Sequence, residues 1–298
     1  MMLYISALGF SAFNTKEKAE GIVSDIIANP NTRYISNYKS DEIKVEYYKE
    51  YGTEFGLIVR GALNQEEELT VYSLIPYAIG SVITDTHEID VVKGERTDVY
   101  NAFCEESRSG TPVSFFLQNV IDYLEIEDQE DVYIEGVRLV AFSVEGTVIL
   151  PIDKDDTDLL LEEEEDVFRE ELLEKARQGD EDAIQILEDE ALESSEILQE
   201  RLKDEDLLSI LEGFFVPLGD SEDIYSFLGT IEEVTETINK MTEERIYILS
   251  IKCMSLYIDV YINSADITGI PSAGMRFKGT SWVHGLIEFE FNGAYEEE

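Results

Sequence analysis

Acidic side chains at close spacing are the residues of this chain best suited to chemistry. They concentrate in the stretch DKDDTDLLLEEEEDVFREE, residues 153–171. An EF-hand calcium loop needs oxygen ligands at alternate early positions, glycine at position 6 and glutamate at position 12. Counted from Asp153, this stretch has Asp158 where glycine is required and Glu164 at the last position. The spacing therefore favours an acidic linker and a helix start, where carboxylates suit the positive end of the helix.

Histidines and cysteines are too few and too dispersed for the common metal and nucleophile motifs. The chain has two of each, His87, His284, Cys104 and Cys253. No two of them share metal-ligand spacing, and neither histidine lies in a recognisable catalytic constellation. Neither a Walker loop nor a GxGxxG motif is present. We predict no catalytic residue, metal or cofactor, although a carboxylate pair formed by residues distant in sequence stays open.

The type of secondary structure that the sequence predicts, and that would position any site, differs from one part of the chain to the next. Residues 1–152 predict one α+β domain, an antiparallel sheet with two helices packed on it. The first helix follows the capping pair Asn14 and Glu17, and the second starts at Thr111–Pro112. The segments with β character are 42–51, 54–63, 68–80, 86–94, 97–106 and 132–152, the last with a hairpin turn at Glu145–Gly146.

Residues 153–222 predict an acidic helical connector. Residues 153–212 hold 25 acidic and 6 basic residues, a net charge of −19. Leucine and isoleucine at helical spacing make the helices amphipathic, so each has a face to bury. Gly179 is typical of a helix end and Asp180 of the next helix start, and a third helix should follow from Asp204. We predict one helical hairpin instead of a repeat array.

Residues 223–298 return to a period of two and predict a small β-barrel of the OB type. Three strands, a loop with glycine and proline, and a long closing strand or pair of strands give this order. We expect six residues to line its face: Tyr247, Tyr257, Arg276, Lys278, Trp282 and His284. OB folds bind single-stranded nucleic acid through aromatic side chains in a basic groove, but Arg276 and Lys278 are nearly the only bases here.

The net charge of −44, from 66 acidic and 22 basic residues, limits the kinds of molecule that the protein can bind. Negative charge repels phosphate backbones and anionic lipids, so nucleic acid and a membrane surface are disfavoured, while a basic protein is allowed. The two dispersed cysteines favour a reducing compartment. The N-terminal stretch MMLYISALGFSAFN lacks the basic start of a signal peptide, and we predict a cytoplasmic protein.

Several segments together resemble a known family. They are LGTIEEV, YILSIKC, YIDVYIN, GMRFKG and SWVHGLIEF, preceded in order by ALGFS, VEGTVILPI, ARQGDEDAI and VPLG. In this order they resemble an uncharacterised bacterial domain-of-unknown-function family of about 300-residue proteins. The resemblance covers the whole chain but implies no activity, so no functional residue is carried over from it.

The sequence thus predicts an α+β protein with an N-terminal antiparallel sheet, an acidic helical connector and an OB-like barrel. Its function is predicted to be non-enzymatic, as a protein-interaction module with an acidic docking surface for a basic partner. The candidate docking residues are Glu162, Glu163, Glu164 and Glu165. Two alternatives stay open. One is an enzyme or small-ligand receptor with a pocket between the α+β domain and the barrel, and the other is a nucleic-acid mimic.

Overall fold

The protein has a mixed α+β architecture with two sheets, of four and eleven strands. The computed structural model describes residues 4–13, 15–37, 42–94, 98–126, 129, 131–152, 156–204, 206–219 and 223–291. Within these ranges, no helix combines the length and the apolar character that crossing a bilayer requires. The predicted fold class is confirmed at this level.

The smaller sheet forms from the N-terminal segments rich in tyrosine and valine, as their alternation predicts. Its antiparallel strands, in spatial order, are β1 (Thr32–Ser36), β2 (Ile43–Glu50), β3 (Phe55–Leu63) and β4 (Leu69–Ala78). A 3₁₀ turn at Tyr4–Leu8 and helix α1 (Lys16–Ala28) precede them. The N-cap residue of α1 is Thr15, whereas the predicted cap Asn14 lies outside the described residues.

The larger sheet takes strands from both sides of the helical segment. Its strands before that segment are β5 (Ile83–Thr84), β6 (Thr86–Lys93), β7 (Tyr100–Glu106), β8 (Pro112–Leu117) and β9 (Val132–Ile149). Those after it are β10 (Phe214–Pro217), β11 (Ile224–Ile238), β12 (Arg245–Cys253), β13 (Leu256–Asn263), β14 (Ile267–Thr268) and β15 (Arg276–Phe291). The spatial order is β10-β11-β12-β13-β9-β15-β8-β7-β6, and β5 and β14 also pair with β9.

Five of these strands pair in a closed circuit. The pairings run from β11 to β12, β13, β9 and β15, and β15 pairs again with β11. The β13–β9 pairing is parallel and the other four are antiparallel. The main hydrophobic core includes buried residues from all five strands, among them Ala141, Phe227, Leu249, Val260 and Phe277.

The predicted helix starting at Thr111–Pro112 is wrong. Residues Pro112–Leu117 form strand β8, and a shorter helix, α2, follows at Val120–Ile126. Phe115 and Phe116 point into different buried clusters, so both faces of this strand are covered. A short apolar run that is buried on both faces has the same pattern as a buried helix, which explains the error.

The predicted hairpin at Glu145–Gly146 is also wrong, because β9 runs through both residues without a turn. Gly146 serves close packing instead. A Cβ atom at this position would lie 2.3 Å from the ring of Phe277. Glycine in a strand can mark a close approach of this kind as well as a turn.

The predicted helical hairpin is present. It consists of α3 (Asp156–Arg177) and α4 (Glu181–Arg201), with Gly179 at a φ of 86° between them. The carboxylate of Asp180 accepts hydrogen bonds from the amides of Asp182 and Ala183 and caps α4. The predicted third helix is shortened to α5 (Leu207–Ile210), because the chain from Phe214 onward pairs with β11 instead.

A second hydrophobic cluster joins the two sheets. It combines Ile22 of α1, Val59 of β3, Phe142 of β9 and Tyr261 of β13, together with the N-terminal turn. The smaller sheet, α1 and that turn therefore pack on the outer face of β9, β12 and β13. This packing creates the junction at which the sequence places a candidate ligand pocket.

Candidate functional site

The helical hairpin is attached to the larger sheet at its turn end. Arg177, in the last turn of α3, donates one hydrogen bond to the carbonyl of Ser107 at 3.0 Å and another to the carboxylate of Glu105 at 2.6 Å. Leu172 is buried, and Leu173 lies beside Gly110 in the same β7–β8 turn. A guanidinium bonded to a main-chain carbonyl and a carboxylate is a directional anchor.

Most of the apolar side chains that the structure describes on the hairpin are at least partly exposed. Among the described hairpin side chains, Leu172 and Ala183 are the two that are buried. The large apolar side chains exposed on α3, α4 and the residue after α4 are Val167, Phe168, Ile184, Ile186, Leu192, Ile197 and Leu202. Apolar surface rimmed by charge is typical of an interaction surface.

The predicted docking residues Glu162, Glu163, Glu164 and Glu165 all belong to α3. The side chain of Glu165 is exposed, and the side chains of the other three lie outside the described part of the structure. Arg169 lies 4.0 Å from Glu190 of α4, with both side chains well exposed. Residues 153–212 hold 25 acidic and 6 basic residues, so the segment that contains the hairpin has a net charge of −19.

The six residues predicted to line a barrel face do not share one surface. Tyr247 packs against the main core, whereas Tyr257 on the adjacent strand is exposed. Lys278 is exposed, but Arg276 is buried and donates to the carbonyls of Leu150, Leu208 and Leu211. The guanidinium of Arg276 is therefore committed to the main chain and does not face solvent, where a phosphate would bind.

Trp282 and His284 are buried on the outer side of β15. The indole Nε1 of Trp282 donates to the carboxylate of Asp223 at 2.8 Å. His284 has no exposed surface, and its ring packs 4.1 Å from Trp282, 4.8 Å from Phe142 and 4.9 Å from Phe116.

His284 is not placed to act as a general base. Neither ring nitrogen has a hydrogen-bond partner. Burial lowers the pKa of His284 well below its usual value, and the positive charge of Arg60 lowers it further. The imidazole is therefore neutral at physiological pH, but it is sealed from any substrate.

The two cysteines are unreactive. Both are free and buried. Burial raises the pKa of Cys104 to about 12, with a further contribution from Glu106, and raises that of Cys253 to about 12. A thiol with so high a pKa is not a nucleophile at neutral pH. No group of three or more His, Cys, Asp or Glu residues in the described chain is arranged to hold a metal ion.

Within the predicted α+β domain, and not between that domain and the barrel, residues of the smaller sheet, β7 and α2 line a cavity of about 30 Å³. This volume accommodates roughly one water molecule and is about tenfold below a usual ligand pocket. Its polar lining residues are Glu42, Lys44, Glu46, Arg60, Tyr72, Asp98 and Tyr100. Lys44 donates to the hydroxyl of Tyr100 at 2.5 Å, and burial lowers the pKa of Lys44.

A buried ion pair that the sequence reasoning missed lines the same cavity. Nε of Arg60 is 2.6 Å from the carboxylate of Glu46, and both side chains are 4% exposed. The Nε–H is not aligned for a hydrogen bond, so this contact is one of charge. The Nη atoms of Arg60 donate to the carbonyls of Asp98, Leu117 and Gln118. A single arginine within the apolar segment GLIVRGAL is the signal that could have predicted this pair.

Gln118 and Asn119 form a second feature that sequence reasoning missed. The amide of Gln118 exchanges two hydrogen bonds of 3.0 Å with the main chain of Ala78, at the end of β4. The amide of Asn119 does the same with Ile287 of β15, at 2.9 and 3.1 Å. Both side chains thus complete strand edges, and their role is structural.

An open acidic groove of about 320 Å³ lies between α2 and the end of β15. Asp122, Glu125 and Glu288 provide its carboxylates, and Arg138 pairs with Glu288. Burial raises the pKa of Asp122 to about 6, and the nearby carboxylates of Glu46 and Glu125 add to this effect. The carboxylates of the groove suit a cationic group.

Comparison with known proteins matches the chain to a family model. A family model described as a domain of unknown function, "E. rectale Gene description", matches residues 5–285. No curated protein matches the chain, and no solved structure matches it.

Proposed function

The chain belongs to the domain-of-unknown-function family DUF3881, and from this premise we propose that it is a protein-interaction module. In this proposal the helical hairpin is an acidic docking surface for a basic protein. The module is non-enzymatic and acts in the cytoplasm, as the small number of dispersed cysteines favours.

The observation that carries the proposal is the exposed apolar side chains of the hairpin, set among dense carboxylates. Exposed Leu192 and Ile197 are 65% and 53% accessible on a segment with a net charge of −19. A helical segment kept only for solubility has no need of such apolar residues, whereas an interface uses both features.

The test is capture of partners from the lysate of the host by the tagged full-length chain, at about 50 mM and about 300 mM salt. We expect a basic protein to be retained at low salt and released at high salt. Reversal of Glu162, Glu163, Glu164 and Glu165 to lysine should abolish its retention. A matched control reverses four exposed carboxylates elsewhere: Glu17, Glu66, Glu232 and Glu233.

Capture that is unaffected by reversing the connector carboxylates, or that is lost equally in the control, would refute the docking surface. Adding duplex DNA as a competitor separates the nucleic-acid mimic from the general module. A DNA-binding partner that DNA displaces from the hairpin would favour mimicry.

The enzyme or small-ligand receptor remains the alternative, and the acidic groove at α2 and β15 supports it. A cationic metabolite that raises the melting temperature of the wild-type chain but not of the Asp122→Asn variant would favour this alternative.

For the C-terminal part we propose a small barrel of the OB type. The closed circuit of pairings and the parallel pair β13–β9 support this assignment. Such a barrel would take β9 from the first of the three predicted segments, 1–152, and its other four strands from 223–298.

A further inference from the structure

We propose that the hairpin's partner is a basic amphipathic helix that lies along one stripe of α4. The stripe consists of Ile186, Glu190, Glu193 and Ile197. The inference rests on the proposed function and specifies the chemistry of its partner.

The spacing of these four residues is four, three and four. At about 100° per residue this spacing keeps all of them on one face of the helix. Ile186 and Ile197 are therefore stacked about three turns apart, roughly 16 Å along the axis. The two carboxylates lie between them on the same face.

The stripe is available to a partner. Ile186 is 40% exposed and Ile197 is 53% exposed. The neighbouring acids Asp189, Glu196 and Glu200 are exposed on its border. Arg169, itself half exposed, lies 4.0 Å from Glu190 and is too distant for a strong ion pair. The stripe thus presents two apolar anchor positions within a row of carboxylates.

A complementary surface has apolar side chains about eleven residues apart on a helix, with lysine or arginine between them. An amphipathic helix packed against the exposed face of α4 is a common solution for such anchors. The 21 residues of α4 extend about 31 Å, enough for a partner helix of about 18 residues. A second copy of this chain is disfavoured, because the same acidic stripe would face itself.

The probe is a synthetic peptide of about 18 residues, built from leucine and lysine, with leucines on one helical face. A peptide of the same composition with its leucines dispersed around the helix is the matched control. Binding of each labelled peptide to the full-length chain is measured by fluorescence anisotropy at about 50 mM salt.

We expect the amphipathic peptide to bind at least about tenfold more tightly than the dispersed one. The double variant Ile186→Ser/Ile197→Ser should bind it about tenfold more weakly, while Leu192→Ser, an exposed residue of α4 outside the stripe, should not. Glu190→Gln/Glu193→Gln should weaken binding and its salt dependence. The control Glu181→Gln/Glu188→Gln, on the opposite side of α4, should have a smaller effect.

Circular dichroism confirms that the variants keep their helices, as expected for substitutions of exposed residues. Equal binding of the two peptides, or unchanged binding to the double serine variant, would overturn this inference and leave a purely electrostatic docking surface. Absence of binding by either peptide would overturn it as well, and the lysate experiment would then decide the proposed function independently.

Discussion

Glu46 and Arg60 show how two charged side chains can hold two sheets together. They are opposite each other in the β2–β3 register, and Tyr48 donates to the second carboxylate oxygen of Glu46 at 3.0 Å. Arg60 bonds to carbonyls beyond the smaller sheet, so its charge is neutralised by Glu46 and its donors are used on the other side of the junction. Burial makes each partner dependent on the other.

Replacement of Glu46 by glutamine should therefore lower the free energy of unfolding by about 3 kcal/mol, because Arg60 keeps a buried charge without a counterion. Urea denaturation measures this change, and exposed Glu66→Gln is the matched control. A loss below about 1 kcal/mol would mean that the three carbonyls satisfy Arg60 without the carboxylate.

His284 makes stability depend on pH in a defined direction. Its pKa in the folded state lies well below the usual value, so the folded protein does not bind the proton that the unfolded chain binds. The contribution of neutral His284 to the free energy of unfolding is fully present above pH ~6.5. As the pH falls below ~6.5, this contribution is lost at about 1.4 kcal/mol per pH unit.

The variant His284→Phe removes this proton uptake. We expect its free energy of unfolding, relative to the wild type, to rise steadily between about pH 6.5 and pH 5 and to be constant above about pH 7. Equilibrium denaturation at several pH values tests this slope. A difference that does not vary with pH would show that His284 binds its proton in the folded state.

Residue roles of this kind were only partly predictable. Asp180 and Gly179 could be assigned from the sequence because a helix cap depends on neighbours within three or four residues. Glu46 and Arg60 could not be paired in advance, because their contact depends on the register of β2 and β3 and on burial by residues distant in sequence.

At the scale of elements, the side chain of Gln118 supplies the hydrogen bonds that a neighbouring strand would make with the edge of the smaller sheet. β4 is an edge of the smaller sheet, and the amide of Gln118 bonds to both main-chain groups of Ala78. The side chain is 2% exposed, so its two hydrogen bonds are shielded from water. This device closes an edge that would otherwise leave polar groups unpaired.

Replacement of Gln118 by leucine should lower the free energy of unfolding by about 2 kcal/mol, because two buried main-chain groups lose their partners. Hydrogen exchange of the Ala78 amide should become faster, which distinguishes this cause from a general packing defect. Exposed Gln185→Leu is the control. Unchanged protection of Ala78 would contradict this role.

Most strands and the two long helices could be predicted, because their period and their end signals are local. The segments 245–253 and 256–263 are strands β12 and β13 within these bounds. β8 and β9 were misassigned in part. The apolar run at 113–117 is a strand because it pairs with β15, and Gly146 is needed because it packs against Phe277, and neither contact can be read from neighbouring residues.

At the scale of the whole molecule, the charge of −44 opposes the compact state. Like charges repel more in the folded protein than in the expanded chain, and salt screens this repulsion. The carboxylates are distributed over the whole chain and concentrated on the hairpin, so the repulsion acts most strongly near the proposed docking surface.

Raising sodium chloride from about 20 mM to about 500 mM should therefore raise the melting temperature by at least about 3 °C. Differential scanning calorimetry measures it, and potassium chloride should give the same result if screening is the cause. A fall in melting temperature would show that favourable ion pairs, such as Arg138–Glu288 and Arg177–Glu105, outweigh the repulsion.

The arrangement of strand β9 has a consequence for synthesis on the ribosome. β9 is complete before the hairpin is made, but its register with β15 joins Val132 to Phe291, near the far end of the chain. The nascent chain must therefore hold an apolar strand without β13 and β15 while about 125 further residues emerge between the end of β9 and the start of β15, and such a topology folds slowly. The acidic hairpin is translated during that delay, and its negative charge opposes association between incomplete chains.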